Sequence, residues 1–220
     1  LGDAHSLPSW WQFVEDQLNI GRQAFVIAPR VQSGENDDVS GAIGVASDLS
    51  SGRFAGRRVG VLHGQLDGRE KEQVLGEFAA GQLDLLVATT VVEVGIDVAN
   101  ATVMTILDAD RLGLAQLHQL RGRVGRGRHM GYVCAFASLG SDARDNERLR
   151  IFESTSDGFE LAELDLKLRG AGDLVGTRQH GASLLRIADL ARDGDEVLRA
   201  QSVARQLLTT DPDLAAPELQ

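Results

Sequence analysis

The stretch Leu85-Leu86-Val87-Ala88-Thr89-Thr90 decides the fold. Four apolar residues run without a polar break and stop at two hydroxyls. A strand with one wet face alternates apolar and polar residues. A continuous apolar run fits a strand covered on both faces, and such strands belong to parallel sheets clothed in helices. Comparable segments stand at Gln23–Ala28, Val59–His63, Leu83–Ala88, Thr102–Leu107 and Gly131–Ala137. Helical spacing appears between them, over Trp10–Leu18, Ser40–Phe54 and Arg69–Ala79. In the last of these Val74, Leu75 and Phe78 share one face and charges occupy the other. The alternation predicts an α/β lobe, a parallel sheet covered by helices, over residues 1–140.

The pattern changes over 141–220, where a mainly helical extension is expected. Helices are expected over Arg144–Glu153 and Phe159–Leu168, joined by the turn-rich Ser154–Gly158. A glycine-rich loop follows at 170–181, then helices around Ser183–Ala191 and Glu196–Leu208, closed by Asp211-Pro212-Asp213.

Composition narrows the function. The 220 residues carry a net charge of −10, which argues against non-specific nucleic-acid binding by the whole surface. Residues 111–150, however, hold eight arginines against three acids, a local +5. A basic strip on an acidic body points to a localised anion site. No apolar run approaches the ~20 residues of a membrane span. Leu1 is preceded by no Met and followed by no basic stretch leading into an apolar core, so the chain reads as a fragment start without a signal peptide. A single cysteine, Cys134, excludes an internal disulfide and a cysteine-rich zinc site. Together these predict a cytoplasmic protein with no membrane partner.

The chemistry begins with an absence. A phosphate-cradling P-loop needs lysine after glycine, then Ser or Thr. The two lysines stand in Arg69-Glu70-Lys71-Glu72 and Asp165-Leu166-Lys167-Leu168, and neither fits. Val103–Asp108 has the form of a magnesium-holding strand, but without a P-loop it reads as a strand ending in a capping Asp. No His is spaced for a metal; His5, His118, His129 and His180 read as surface or packing residues. Trp10 and Trp11 read as packing residues.

The strongest positive signal is Gln119-Leu120-Arg121-Gly122-Arg123-Val124-Gly125-Arg126. On a helix Gln119, Arg123 and Arg126 would share a face. Glycine inside a helix costs about 1 kcal/mol, so something must require Gly122 and Gly125. Paired guanidiniums with thinned surface between them suit a polyphosphate. The second signal is Thr89-Thr90 followed by Glu93-Val94-Gly95-Ile96-Asp97-Val98. Hydroxyls at a strand's C-terminal end suit phosphate oxygens, since ligands of α/β sheets bind there.

Leu62-His63-Gly64, Thr89–Val98 and Gln119–Arg126 resemble, in order and spacing, motifs of the second RecA-like lobe of superfamily-2 helicases. The resemblance spans residues ~20–138. It implies ATP and Mg2+ held mainly by another lobe, which carries the P-loop. It implies Arg126 as arginine finger, Arg123 as its companion on the phosphates and Gln119 as a nucleotide-proximal partner. Thr89, Thr90, His63 and Gly64 would meet DNA, and Gly95 and Asp97 would link DNA to nucleotide.

Further on, Asp157–Glu163, Asp165–Asp173 and Gly176-Thr177-Arg178-Gln179-His180-Gly181 closely resemble the RecG family of branch-migration helicases. The resemblance implies that Arg148, Arg169 and Gln179 couple nucleotide state to movement on duplex DNA. It implies a monomeric double-stranded DNA translocase acting on stalled forks and Holliday junctions, with a first RecA-like lobe and a wedge domain in the same chain. The transcription-repair coupling factors are the enzymatic rival, though they usually carry Glu-Glu-Gln where Thr177-Arg178-Gln179 stands. A non-catalytic docking module is the alternative from another class.

Overall fold

The computed structural model describes residues 1–28, 37–89, 98–138 and 140–158, together with Leu161, Leu164, Asp165 and Arg199. The chain divides into two compact units, 1–161 and 162–220. The architecture below is that of the first. In the second only three residues are described, so the expected loop at 170–181 and the two closing helices lie outside the described residues, as do Arg169 and Gln179.

Five strands form one parallel sheet: β1 (Gln23–Ile27), β2 (Val59–Leu62), β3 (Leu85–Ala88), β4 (Ala101–Ile106) and β5 (Tyr132–Ala135), in the order β2-β3-β1-β4-β5. Every pairing is parallel. β1, β3 and β4 are buried at every position, as their unbroken apolar runs require. The helices are α1 (Leu7–Asn19), α2 (Asp37–Ser51), α3 (Gly68–Ala79), α4 (Leu114–Arg121) and α5 (Glu147–Ser154).

The two-residue period of the strands sorts the core into two layers. Ala24, Val26, Leu85, Val87 and Val103 pack with Val14 and Leu18 of α1 and Ala42, Ala46 and Leu49 of α2. Phe25, Ile27, Leu86, Met104 and Ile106 pack with Phe78 of α3, Leu114 and Leu117 of α4, and Leu149 and Phe152 of α5. Trp10, read as a packing residue, tilts against Phe13 and donates from Nε1 to the buried Thr105 hydroxyl at 2.8 Å.

Local chemistry sets the helix ends. Asp67 starts α3: its Oδ1 accepts from the Glu70 N–H at 2.8 Å, and Glu70 Oε2 accepts from the Asp67 N–H at 2.9 Å. Asn146 starts α5, its Oδ1 accepting from the Leu149 N–H at 3.1 Å. That cap places the helix start at Glu147, three residues later than the apolar spacing suggests. Gln23 Nε2, inside the core, donates to the carbonyls of Phe78 and Leu83 at 2.6 and 2.8 Å and so ties α3 to the start of β1.

Where β2 and β3 begin, Arg58 wraps Asp84. Its Nη2 donates to Oδ1 at 2.7 Å, and its main-chain N–H donates to Oδ2 at 2.9 Å. The Arg58 side-chain hydrogen bonds hold the Asp84 carboxyl below its ordinary value of 3.8. A carboxyl depressed in the folded state adds stability above its unfolded pKa, and that stability disappears as the carboxylate is protonated. The urea midpoint should therefore fall as pH drops below 3.8. Asp84→Asn should begin less stable at neutral pH and fall less steeply. An equally steep acid decline in Asp84→Asn would mean that another carboxylate governs it.

Candidate functional site

In a parallel sheet the two strand ends differ chemically. At the C-terminal end, His63 and Gly64 follow β2 and Thr89 follows β3. The three are neighbours through the ladder: the Thr89 N–H donates to the Leu62 carbonyl at 3.1 Å. Thr89 is 5% exposed. Its Oγ1 and His63 Nδ1 are buried with no hydrogen-bond partner. Such groups cost about 1–3 kcal/mol and need explaining. The Thr102 hydroxyl inside β4 is the third such atom among the described residues, and nothing in the structure explains it. Gly64 gives its carbonyl to Lys71 Nζ at 2.9 Å, fixing the loop into α3. Thr90, Gly95 and Asp97 lie outside the described residues. The flanks of that segment, Thr89 and Val98, stand at opposite ends of the sheet.

The arginine motif departs from expectation. Helix α4 ends at Arg121 with Gly122 as its C-cap, so Arg123 and Arg126 do not continue Gln119's helical face. Gly125 ends any continuation, because its φ is +76°, a conformation costly for other residues. Its α-carbon is also crowded: a Cβ there would lie 2.9 Å from the Gly131 nitrogen. The two glycines close a turn of residues 122–131 that leads from α4 into β5 at the N-terminal end of the sheet. Within it Arg126 folds back, donating from Nε to the Gly122 carbonyl at 2.6 Å. Arg126 and Gln119 are exposed and Arg123 is half-buried.

A further arginine, Arg121, was not singled out by its sequence. Its Nη1 donates to the carbonyls of Thr155 and Phe152 at 2.7 and 3.1 Å, and its guanidinium stacks 5.0 Å from the Phe152 ring centroid. Burial pulls this guanidinium below its ordinary value. Its Nη2 meets His118 Nδ1 at 3.0 Å, so His118 serves as more than surface. Arg148 works at the other end of the same pair of helices, donating to the Leu112 carbonyl at 3.0 Å. α4 and α5 are thus clamped at both ends by arginine on backbone carbonyl. Arg121 also sits where the carbonyl end of α5 favours a cation. The signal that could have found it is Phe152, Thr155 and an arginine all lying in the half-apolar region, but no local spacing connects residues 31 to 34 apart.

Val103–Asp108 is a strand that ends at Ile106. Asp108 does not cap with its side chain; it takes φ 45°, and the carboxylate in use is Asp110, which accepts from the Ser138 N–H at 2.7 Å. Among the described residues no three His, Cys, Asp or Glu converge on a point that could hold a metal. None of the described helices is long and apolar enough to cross a membrane.

A doubly covered parallel sheet, with an arginine turn at one end and buried unpaired polar atoms at the other, places the chain among RecA-like helicase lobes. The family model "Helicase conserved C-terminal domain" matches residues 11–128, and "ATP-dependent DNA helicase RecG, domain 3, C-terminal" matches 155–220. The chain belongs to the helicase conserved C-terminal domain family, and its last 66 residues match the RecG model. It is 47% identical over 207 residues to the ATP-dependent DNA helicase RecG of Bacillus subtilis, covering 94% of this chain and 30% of that protein. The RecG of Thermotoga maritima is 46% identical over 184 residues, covering 83% and 23%. A solved structure of RecG bound to a three-way DNA junction superposes with TM-score 0.68 at 41% identity, covering 89% of this chain and 25% of that one. Domain 2 of the DEAD-box helicase Mss116p, at 17% identity and TM-score 0.54, shares the fold. The chain spans under a third of the length of its curated relatives.

Proposed function

We propose that this chain is the second motor lobe of an ATP-dependent double-stranded DNA translocase that remodels stalled forks and Holliday junctions. The observation that carries the reading is the turn 122–131, which holds Arg123, Arg126 and Arg128 outside any regular helix. In this reading ATP binds against a P-loop supplied by a first RecA-like lobe, and Arg126 and Arg123 approach the γ-phosphate from this side. Guanidiniums stabilise charge that builds as the phosphoryl group transfers. Gln119, exposed on the last turn of α4, lies on the same approach. In the same reading Mg2+ is held mainly by the other lobe, and no step here depends on it.

The opposite end of the sheet meets DNA. A phosphate oxygen would accept from the Thr89 hydroxyl, and from His63 Nδ1 in the tautomer that carries its proton there; the fold buries both groups without a partner. Gly95 and Asp97 belong to the segment joining the two ends. Arg148 holds the α5 hairpin helix against the arginine-bearing helix, while Arg169 and Gln179 act in the coupling loop. The junction-bound RecG structure supports branched DNA as the partner. A wedge domain, a monomeric state and a cytoplasmic setting complete the reading.

Thr89→Val tests the DNA end. Removing an unpaired buried hydroxyl while keeping the shape should leave folding unharmed or slightly stabilised. Fork-DNA affinity should nonetheless fall, by about tenfold if one phosphate contact is lost. Unchanged affinity at matched salt would remove Thr89 from the DNA site.

A further inference from the structure

The arginine turn rests on the N-terminal edge of the sheet, and its seat is unusually tight at one residue. A Cβ on Gly127 would lie 2.5 Å from the Ala99 carbonyl oxygen and 3.2 Å from the Ala99 carbonyl carbon. The obstacle is backbone, which cannot rotate aside as a side chain can. A second contact grips the turn two residues on, where Arg22 Nη2 donates to His129 Nδ1 at 3.1 Å. Arg22 is itself held, donating from Nη1 to Asn100 Oδ1 at 3.3 Å.

Asn100 is the hub of the seat. Its Nδ2 donates to the Gly21 carbonyl at 2.8 Å and to Gln23 Oε1 at 3.3 Å, and its carbonyl accepts from the Gln23 N–H at 3.0 Å. The α1–β1 link and the residues leading into β4 are therefore one clasped platform. Gly127 lies on that platform and His129 is tethered to it. His129, read from sequence as a surface or packing residue, has a specific partner 107 positions away.

We propose that Gly127, Arg22 and His129 are positioning residues for Arg126. Gly127 sets the height of the turn against Ala99. Arg22, acting through His129, keeps it from sliding along the sheet edge. The inference rests on the arginine reading above. Its consequence is kinetic, since an exposed Arg–His bond adds little to stability, whereas a displacement of about 1 Å can cost ~10²-fold in rate.

Two measurements test it separately. On the 220-residue chain, the Nε–Hε NMR signal of Arg126 should shift in Gly127→Ala and in Arg22→Ala. It should stay near its original position in His129→Gln, whose amide oxygen can accept the same bond. In the complete two-lobed enzyme, Gly127→Ala should lower the ATP turnover number by about 10–100-fold and Arg22→Ala by about fivefold. His129→Gln should stay near wild type, and the KM for ATP and the melting temperature of Arg22→Ala should not move. In an Arg126→Ala background, Arg22→Ala should have no further effect. An unmoved Arg126 signal, or losses that add to that of Arg126→Ala, would overturn the proposal. So would a melting temperature that falls in step with the rate. A shifted signal in an enzyme whose Arg126→Ala variant turns over normally would uphold the seat and sink the arginine-finger reading instead.

Discussion

Arg126→Ala is expected to lower ATP turnover by roughly 10³–10⁵-fold in the two-lobed enzyme. ATP binding, followed with a fluorescent nucleotide, should change little. A group that meets charge only as it develops stabilises the transition state and leaves the ground state nearly untouched. Arg126 is exposed, as a side chain proposed to reach a nucleotide held elsewhere has to be. Its Nε donates to the Gly122 carbonyl, which ties the side chain to its own turn. Gln179→Ala is the informative control. It belongs to the proposed coupling loop, so hydrolysis should persist while fork unwinding falls. Equal loss of both activities in Gln179→Ala would place that loop in the catalytic site. Near-normal turnover in Arg126→Ala would shift the finger assignment to Arg123.

The second large effect concerns stability. Arg121→Ala should destabilise the lobe by about 3 kcal/mol, read from chemical denaturation. Hydrogen bonds from a charged donor contribute ~1.5–3 kcal/mol each, and a partly desolvated cation–π contact contributes ~0.5–2 kcal/mol. The two carbonyls left behind, of Phe152 and Thr155, close the end of α5, so the damage should concentrate there. Hydrogen exchange should show α5 opening before β1, β3 and β4. Arg121→Lys should recover only part of the loss, because one ammonium cannot reach two carbonyls and stack on Phe152 together. A cost below about 1 kcal/mol would mean that water replaces the clamp without penalty.

Much of this lobe is legible because burial on both faces leaves a blunt trace. Leu85–Ala88 and Val103–Ile106 are apolar at almost every position, as strands covered on both faces are. The arginine motif departs from the shape its spacing suggests. Spacing put Gln119, Arg123 and Arg126 on one helical face, yet the helix stops at Arg121. The glycines were the available signal. Gly125 serves a positive φ and a close approach to Gly131, both of which break a helix rather than thin its surface. Arg121 escaped notice for a different reason. Its partners are backbone carbonyls, and any residue type offers a carbonyl, so a contact with Thr155 leaves no mark on the identity of Thr155. The same holds for Gly127 and the Ala99 carbonyl. Asp110, by contrast, was overlooked beside Asp108 because sequence shows which carboxylate follows a strand but not which one the turn aims at Ser138.

The separation of Thr89 from the arginine turn carries a mechanical consequence. They stand at opposite ends of a sheet whose longest strand, β4, has six residues and so runs about 20 Å. Hydrogen-bonded strands clad by helices on both sides transmit force with little give. In the proposed reading, with phosphate chemistry at one end and DNA at the other, the lobe would behave as a lever arm. A rotation of a few degrees where ATP sits becomes a displacement of ångströms where the strand is gripped. On that reading the stride along DNA would be set by the swing between lobes, with this lobe supplying length and stiffness. Loosening the core beneath β1, β3 and β4 should waste part of each stroke as elastic strain, with ATP still consumed and less DNA moved per turnover.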